Sequence, residues 1–305
     1  MNTISKLLKL KKERNAIILA HYYQDPEIQD IADFMGDSLA LAQHAQQTKA
    51  DVILFCGVHF MSETAKILNP SKTVVIPDMD AGCSLADSAA SNEFKTWVKQ
   101  HPNHTLVSYI NCSAEVKAMS DIICTSSNAE KIINSIPVDQ PILFAPDQFL
   151  GKYLIKKTGR ELVLWPGFCQ VHVLFSLKEL IQLKIRHPQA KVIAHPECEE
   201  KILNHADFIG STTGLIKYTQ SQETNQFIVI TEPGVIHQMK KLNPHKEYIP
   251  LANNEGCACN ECPHMRLNTI DKMIKALQTL EPEIILSNKL LHQAKKPLIK
   301  MLELS

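Results

Sequence analysis

Residues 53–61 read ILFCGVHFM, residues 142–150 read ILFAPDQFL and residues 228–236 read IVITEPGVI. Aligned by eye on Ile53, Ile142 and Ile228, the three stretches share one form: a short apolar run, a turn, then a helix-like segment. Working outward, each is preceded by a polar anchor that follows another apolar run: AHYY at 20–23, SYIN at 108–111 and AHPE at 194–197. Between anchor and run lie hydroxyls ahead of a helix-like stretch, at Asp37-Ser38, Ser126-Ser127 and Ser211-Thr212. Each copy closes on a cysteine loop: AGCSLAD around Cys83, WPGFCQVH around Cys169 and NECPHM around Cys262. Recurrence every ninety residues or so, with one chemically special residue per copy, marks a triplicated unit. Three related domains around a pseudo-threefold axis would bring the three cysteines together.

Short apolar runs alternating with amphipathic stretches are the pattern of βαβ units with parallel sheets. The expected fold is therefore α/β: three homologous three-layer α/β/α domains with small parallel sheets of three or four strands. The expected boundaries are an N-terminal helix at 1–14, repeats at 15–101, 102–187 and 188–282, and a helical tail at 283–305. In the first helix Ile4, Leu7, Leu8 and Leu10 share one face. Thr269 is placed to cap a helix that Glu281-Pro282 stops, and the tail is expected to be interrupted at Pro297.

Lysine plus arginine equals aspartate plus glutamate, 32 each, in a chain of 305 residues. A balanced charge argues against nucleic acid or an anionic membrane as partner, since both reward a basic face. The apolar run AIILA after the basic N-terminus is too short for a signal or a membrane span. The expectation is a soluble, cytoplasmic protein acting on small molecules.

Nine cysteines with no secretion signal favour metal or redox chemistry over disulfides. Cys56, Cys112, Cys124 and Cys198 read as buried structural thiols. Cys83, Cys169 and Cys262 follow strand-like runs, where parallel α/β domains gather functional groups. Three thiolates could hold zinc or an iron–sulfur cluster. Zinc sites usually take four ligands from paired knuckles, whereas single, widely spaced cysteines resemble the ligands of a cubane. Three cysteines on a [4Fe–4S] cluster leave one iron open as a Lewis acid. Cys257 and Cys259 could add a ligand, form a labile disulfide or have no role.

Ser38, Ser126, Ser211 and Thr212 precede helix-like stretches, whose N-termini offer free N–H groups to anions. The plain alternative is N-capping. His21, Tyr23, Tyr109, Asn111, His195 and Glu197 come from the strand-end turns of the three copies. They combine acid–base groups with neutral donors, as proton transfer on a carbonyl or imine requires.

Taken together, HYYQDPEIQDIADFMGDSL, FCGVHFMSETAKIL, YINCSAEVKA, WPGFCQVH, AHPEC, GSTTGL and CPHMRLNT resemble the quinolinate synthase family, from about residue 20 to about 270. The resemblance implies a [4Fe–4S] cluster held by Cys83, Cys169 and Cys262. It also implies condensation of iminosuccinate with dihydroxyacetone phosphate to quinolinate, phosphate and water, and a functional link to the enzyme supplying iminosuccinate. His21, Ser38, Tyr109-Ile110-Asn111, Ser126, His195-Pro196-Glu197 and Thr212 match iminosuccinate-binding positions, and Tyr23 a tyrosine that handles the triose phosphate. His21, Tyr23, His195 and Glu197 become the candidate proton-transfer groups. Some family members carry Cys-x-x-Cys-x-x-Cys in the last loop; here it is Cys-x-Cys-x-x-Cys, so thiol–disulfide regulation does not transfer. Rival readings are an iron or oxygen sensor, a zinc-stabilised binding protein, and a different cluster dehydratase.

Overall fold

A computed structural model of the chain describes residues 3–253 and 260–305. Its framework is three four-stranded sheets, every pair parallel. The first contains β1 (Ala16–His21), β2 (Phe34–Gly36), β3 (Val52–Cys56) and β4 (Thr73–Val75). The second contains β5 (Thr105–Tyr109), β6 (Ile122–Cys124), β7 (Ile142–Ala145) and β8 (Val163–Leu164). The third contains β9 (Lys191–Ala194), β10 (Phe208–Ile209), β11 (Gln226–Ile230) and β12 (Glu247–Pro250). Strand order is the same in all three: second, first, third, fourth. The triplication expected from the sequence is thus a repeated topology.

The central strands carry apolar runs that do not alternate with polar residues, because both sheet faces are covered. On one face of the first sheet, Ile18, Ala20, Val52 and Leu54 pack on Leu7, Met273 and Leu277. Its other face turns Leu19, Ile53 and Phe55 toward Leu41, Ala65 and Ile67. In the third sheet Val192 and Ile228 pack on Leu180 and Ile202, while Ile193, Phe227 and Val229 pack on Leu215 and Met239. Alternate residues go to opposite helix layers, the α/β/α arrangement. Each such side chain contributes about 1.5–3 kcal/mol by leaving water.

An aspartate recurs at the same place in each repeat and ties the first strand to the start of the second. Asp33, Asp121 and Asp207 accept from the backbone N–H of Ile18, Leu106 and Val192 at 2.8, 2.7 and 2.7 Å. Their own N–H groups donate back to the carbonyls of the same three residues. The sequence reading missed this device because a single aspartate before a strand is a common turn residue.

Strand register corrects the alignment by eye. Ile53 pairs with Ile17, Ile142 with Thr105 and Phe227 with Lys191, each partner lying four positions before His21, Tyr109 or His195. The third copy therefore aligns on Phe227 rather than Ile228. A strand that is apolar on both faces carries no period-two signal, so a one-residue slip is invisible in the pattern.

The helix Ile270–Thr279 is capped by Thr269, whose hydroxyl accepts from the N–H of Lys272 at 3.3 Å. It packs with the helix Thr3–Glu13 on the first sheet, although it follows the third in sequence. In that first helix only Leu7 is buried; Ile4 and Leu8 face outward. The tail is not interrupted: one helix runs from Asn288 to Glu303 through Pro297. Proline removes one backbone bond there, but Leu291, Ala294, Pro297, Leu298 and Met301 are buried against the second unit and outweigh the loss. No helix among the described residues is long and apolar enough to cross a membrane.

Candidate active site and metal centre

The carboxyl ends of all three sheets open onto one cleft. Its wall includes His21, Tyr23 and Ser38 from the first unit, Tyr109, Asn111 and Ser126 from the second, and His195, Glu197 and Thr212 from the third. Cys83, Cys169 and Cys262 line the same cleft. Three residues read as site positions sit behind the wall: Ile110 and Pro196 are buried beneath it, and the Ser211 hydroxyl is used to cap the helix Thr212–Ser221. Capping also differs from expectation in the other two copies. Asp37, not Ser38, caps the helix Ser38–Gln47, and Ser126 lies in a turn ahead of Ala129–Ser135, held by Asn128 bonding to Thr125. Carboxylate and amide side chains cap as well as serine does, so sequence alone cannot rank adjacent candidates. Left uncommitted to capping, Ser38, Ser126 and Thr212 face the cleft.

Glu197 is the hub of the polar wall. One carboxylate oxygen accepts from the Tyr109 hydroxyl at 2.6 Å, and the other lies 2.8 Å from His172 Nδ1. Burial alone would raise its pKa, but the imidazoles of His195 and His172 and the bonds from His172 and Tyr109 hold it down at about 2. It is therefore a carboxylate, and His172 donates to it through Nδ1. The opposite nitrogen, His172 Nε2, then accepts from Thr231 Oγ1 at 3.0 Å. Tyr23 donates in turn to Thr231 at 2.8 Å and lies 3.0 Å from the Thr212 hydroxyl. A continuous chain runs Glu197–His172–Thr231–Tyr23, drawing on all three units. Burial pushes both phenols well above their usual range, so Tyr23 and Tyr109 are neutral donors.

His21 and His195 are built alike. The N–H two residues on donates to Nδ1, from Tyr23 at 3.2 Å and from Glu197 at 3.4 Å. Nε2 then carries the proton, and that of His195 points at Ser126 Oγ 3.2 Å away. Burial lowers His21 to about 4 and His195 to about 3, against the pull of nearby carboxylates. Both are neutral near pH 7.

This burial has a consequence for stability. Unfolded histidine titrates near 6.5, above both folded values, so below that pH the unfolded chain binds more protons. Stability is full above pH 6.5 and falls as pH drops toward 4, by up to about 1.4 kcal/mol per pH unit for each ring. Urea unfolding of the metal-free protein at pH 7.5, 6.5 and 5.5 should show this decline, and His195→Asn should flatten it. A pH-independent midpoint would contradict the assignment.

The three thiols share a local geometry. Each precedes a helical turn: Ser84–Ser88, His172–Leu174 and Met265–Leu267. Backbone N–H groups of those turns face the sulfurs, from Leu85 and Ala86, from His172, and from His264 and Met265. Burial raises Cys83 to about 12 and Cys262 to about 11, and Cys169 well above its usual value. Each is raised further by a neighbouring cysteine of the trio or by Glu197 or Glu232, so the set ionises only around a cation. These donors fit a thiolate-bound metal centre. Cys169, His172 and Glu197 also offer ligand atoms within 4.8 Å of one another, although His172 and Glu197 are already bonded together. Cys56, Cys112, Cys124 and Cys198 are buried in the cores. Cys257 and Cys259 lie outside the described residues.

Two wall residues, His172 and Glu232, and Thr231 buried behind the wall were not singled out in the sequence. His172 stands in the quoted loop WPGFCQVH, and Thr231 and Glu232 in the run at 228–236. The loops were visible, but which of their polar residues faces inward was not.

The protein-family model described as "Quinolinate synthetase A protein" matches residues 5–303. A curated protein of Nostoc sp. named quinolinate synthase is 59% identical over 305 residues, covering 100% of this chain and 94% of its own. The quinolinate synthase of Trichormus variabilis is 61% identical over 296 residues, 97% of this chain and 91% of that protein. That of Cyanophora paradoxa is 59% identical over 302 residues, with 99% and 92% covered.

Proposed function

Because the chain belongs to the quinolinate synthetase A family, we infer that it is a quinolinate synthase, an iron–sulfur enzyme of NAD biosynthesis. We further propose that its substrates are iminosuccinate and dihydroxyacetone phosphate, and that Cys83, Cys169 and Cys262 hold a [4Fe–4S] cluster. The observation that carries the site assignment is the meeting of those three thiols in the cleft that also holds His21, Tyr109 and His195. When bound, such a cluster supplies one open iron as a Lewis acid for loss of a hydroxyl.

The remaining chemistry falls to the chain. Ser38, Ser126 and Thr212 offer hydroxyls, Asn111 an amide, and His21 and His195 neutral N–H groups, all suited to carboxylates and phosphate. No lysine or arginine lines the cleft among the described residues, so these anions are bound by dipoles and by the metal centre. The buried carbonyl oxygen of Asn111 has no partner among the described residues, which leaves it free to accept from a bound imine or amine. Proton transfer during isomerisation, condensation and dehydration runs through Tyr23. A proton taken from substrate by the Tyr23 oxygen is matched by the Tyr23 proton passing to Thr231 and the Thr231 proton to His172 Nε2, where Glu197 stabilises the imidazolium; the reverse transfer along the same path returns a proton to substrate.

An anaerobic assay of the reconstituted protein tests this. With iminosuccinate and dihydroxyacetone phosphate supplied, a brown protein should form quinolinate, followed by chromatography. A brown protein that makes none would leave the cluster in place and overturn the substrate assignment. A colourless zinc protein would overturn both.

A further inference from the structure

We propose that Arg266 is a positioning residue that locks the Cys262 loop to Tyr23, so that the third metal ligand and the acid–base hydroxyl are set in place together. Arg266 follows Cys262 by one helical turn, and its N–H donates to the Cys262 carbonyl at 3.3 Å. Its guanidinium then joins a strand-end turn of the first unit to one of its own unit. Nη1 donates to the Tyr23 carbonyl at 2.9 Å, and Nη2 donates to Glu232 Oε1 at 2.7 Å. That same carboxylate oxygen accepts from the Cys262 N–H at 3.4 Å, while Oε2 accepts from the Gly234 N–H at 2.7 Å. Glu232 is fully buried, so its carboxyl oxygens require these hydrogen-bond partners. Contacts with Asp25 at 3.0 Å and Glu261 at 3.3 Å are more exposed and matter less.

Two observations make this a built device rather than a chance pair. First, strand register makes Glu232 the counterpart of Asp147 in the second repeat, another fully buried acid, whose Oδ1 accepts from the N–H groups of Phe149 and Leu150 in the helix that follows. A buried acid thus stands just past the third strand in both repeats, but it is Glu232 that bonds to the backbone of a ligand cysteine. Only at Glu232 is an arginine added, and that arginine crosses to Tyr23. Second, the turn after Glu232 approaches Tyr23 closely. A Cβ on Gly234 would fall 3.0 Å from Tyr23 Cα, 3.1 Å from the Tyr22 carbonyl and 2.7 Å from Glu232 Oε2, so only glycine fits between them. Planar, five-donor guanidinium is the group that can serve a carbonyl and a carboxylate at once.

The inference rests on Cys262 as a metal ligand and is tested on the full, anaerobically reconstituted chain. The first readout is the rate of iron release to an added chelator. Arg266→Met should release iron about 10–100-fold faster than the unaltered chain, the usual effect of losing a residue that orients a ligand. Arg266→Lys, which keeps the charge but reaches one partner, should fall between. Glu232→Gln keeps the shape but turns an NH₂ toward one set of N–H groups that the carboxyl now accepts from, and should also accelerate release; it serves where Arg266→Met does not fold. The second readout is additivity. If Arg266 acts on turnover through Tyr23, adding Arg266→Met to Tyr23→Phe should lower kcat by no more than about threefold. Iron release at the unaltered rate in all three single variants would overturn the proposal alone. An unaltered chain that takes up no iron would overturn the cluster reading beneath it as well.

Discussion

Replacing Cys169 by alanine is expected to abolish the brown colour and to reduce quinolinate formation by at least ~10³-fold, the several kcal/mol that a metal Lewis acid contributes. The three thiols are buried, flanked by backbone N–H groups and raised by burial, which makes them poor anions alone and good ligands together. Removing one leaves two thiolates unable to hold the cluster. The same loss should follow Cys83→Ala and Cys262→Ala. That triplet separates the proposed centre from a single ion on Cys169, His172 and Glu197, which would survive both of the latter changes. Cys56→Ala is the control: this thiol sits in the first core and should cost about 1 kcal/mol of stability without loss of iron. Iron content, visible absorbance and turnover together decide the matter.

Glu197→Gln should lower kcat about 10²–10⁴-fold while the iron content stays unchanged. Both carboxylate oxygens accept, one from Tyr109 and one from His172. An amide can accept from only one of them and turns its NH₂ toward the other. His172 then loses the partner that keeps its proton on Nδ1, and Thr231 and Tyr23 lose the order that depends on it. Because Glu197 is held near 2, its protonation does not set the acid limb of the rate profile above pH 4. The variant should therefore be slow across the whole range, with no shifted optimum. Full turnover in Glu197→Gln would remove the residue from the relay, leaving its bond to Tyr109 as its role.

Much of the site could be read from the chain because the repeat supplied an internal comparison. His21, Tyr109 and His195 stood out as one position seen three times, and so did the cysteines. Ser38 and Thr212 were found by the same logic, and the plain alternative of capping falls in the first case to the neighbouring Asp37. His172 and Thr231 had no such comparison. Their counterparts in the other repeats are different residues, so nothing in the period pointed to them.

The class of fold, the threefold repetition and the loop from which each thiol comes were legible along the chain, because hydrophobic runs, turn residues and spacing are local properties. The sequence also carried the family membership, since ordered motifs span nearly all of the chain. Which polar atoms meet is fixed by the packing of the three units. Tyr23, His172 and Thr231 belong to three different units, 208 residues separate the Tyr23 and Thr231 hydroxyls, and Arg266 lies 243 residues from the carbonyl it holds. Such contacts depend on how three separately covered sheets dock against one another. That docking is set by the summed shape and polarity of whole surfaces, and no short stretch of sequence encodes it.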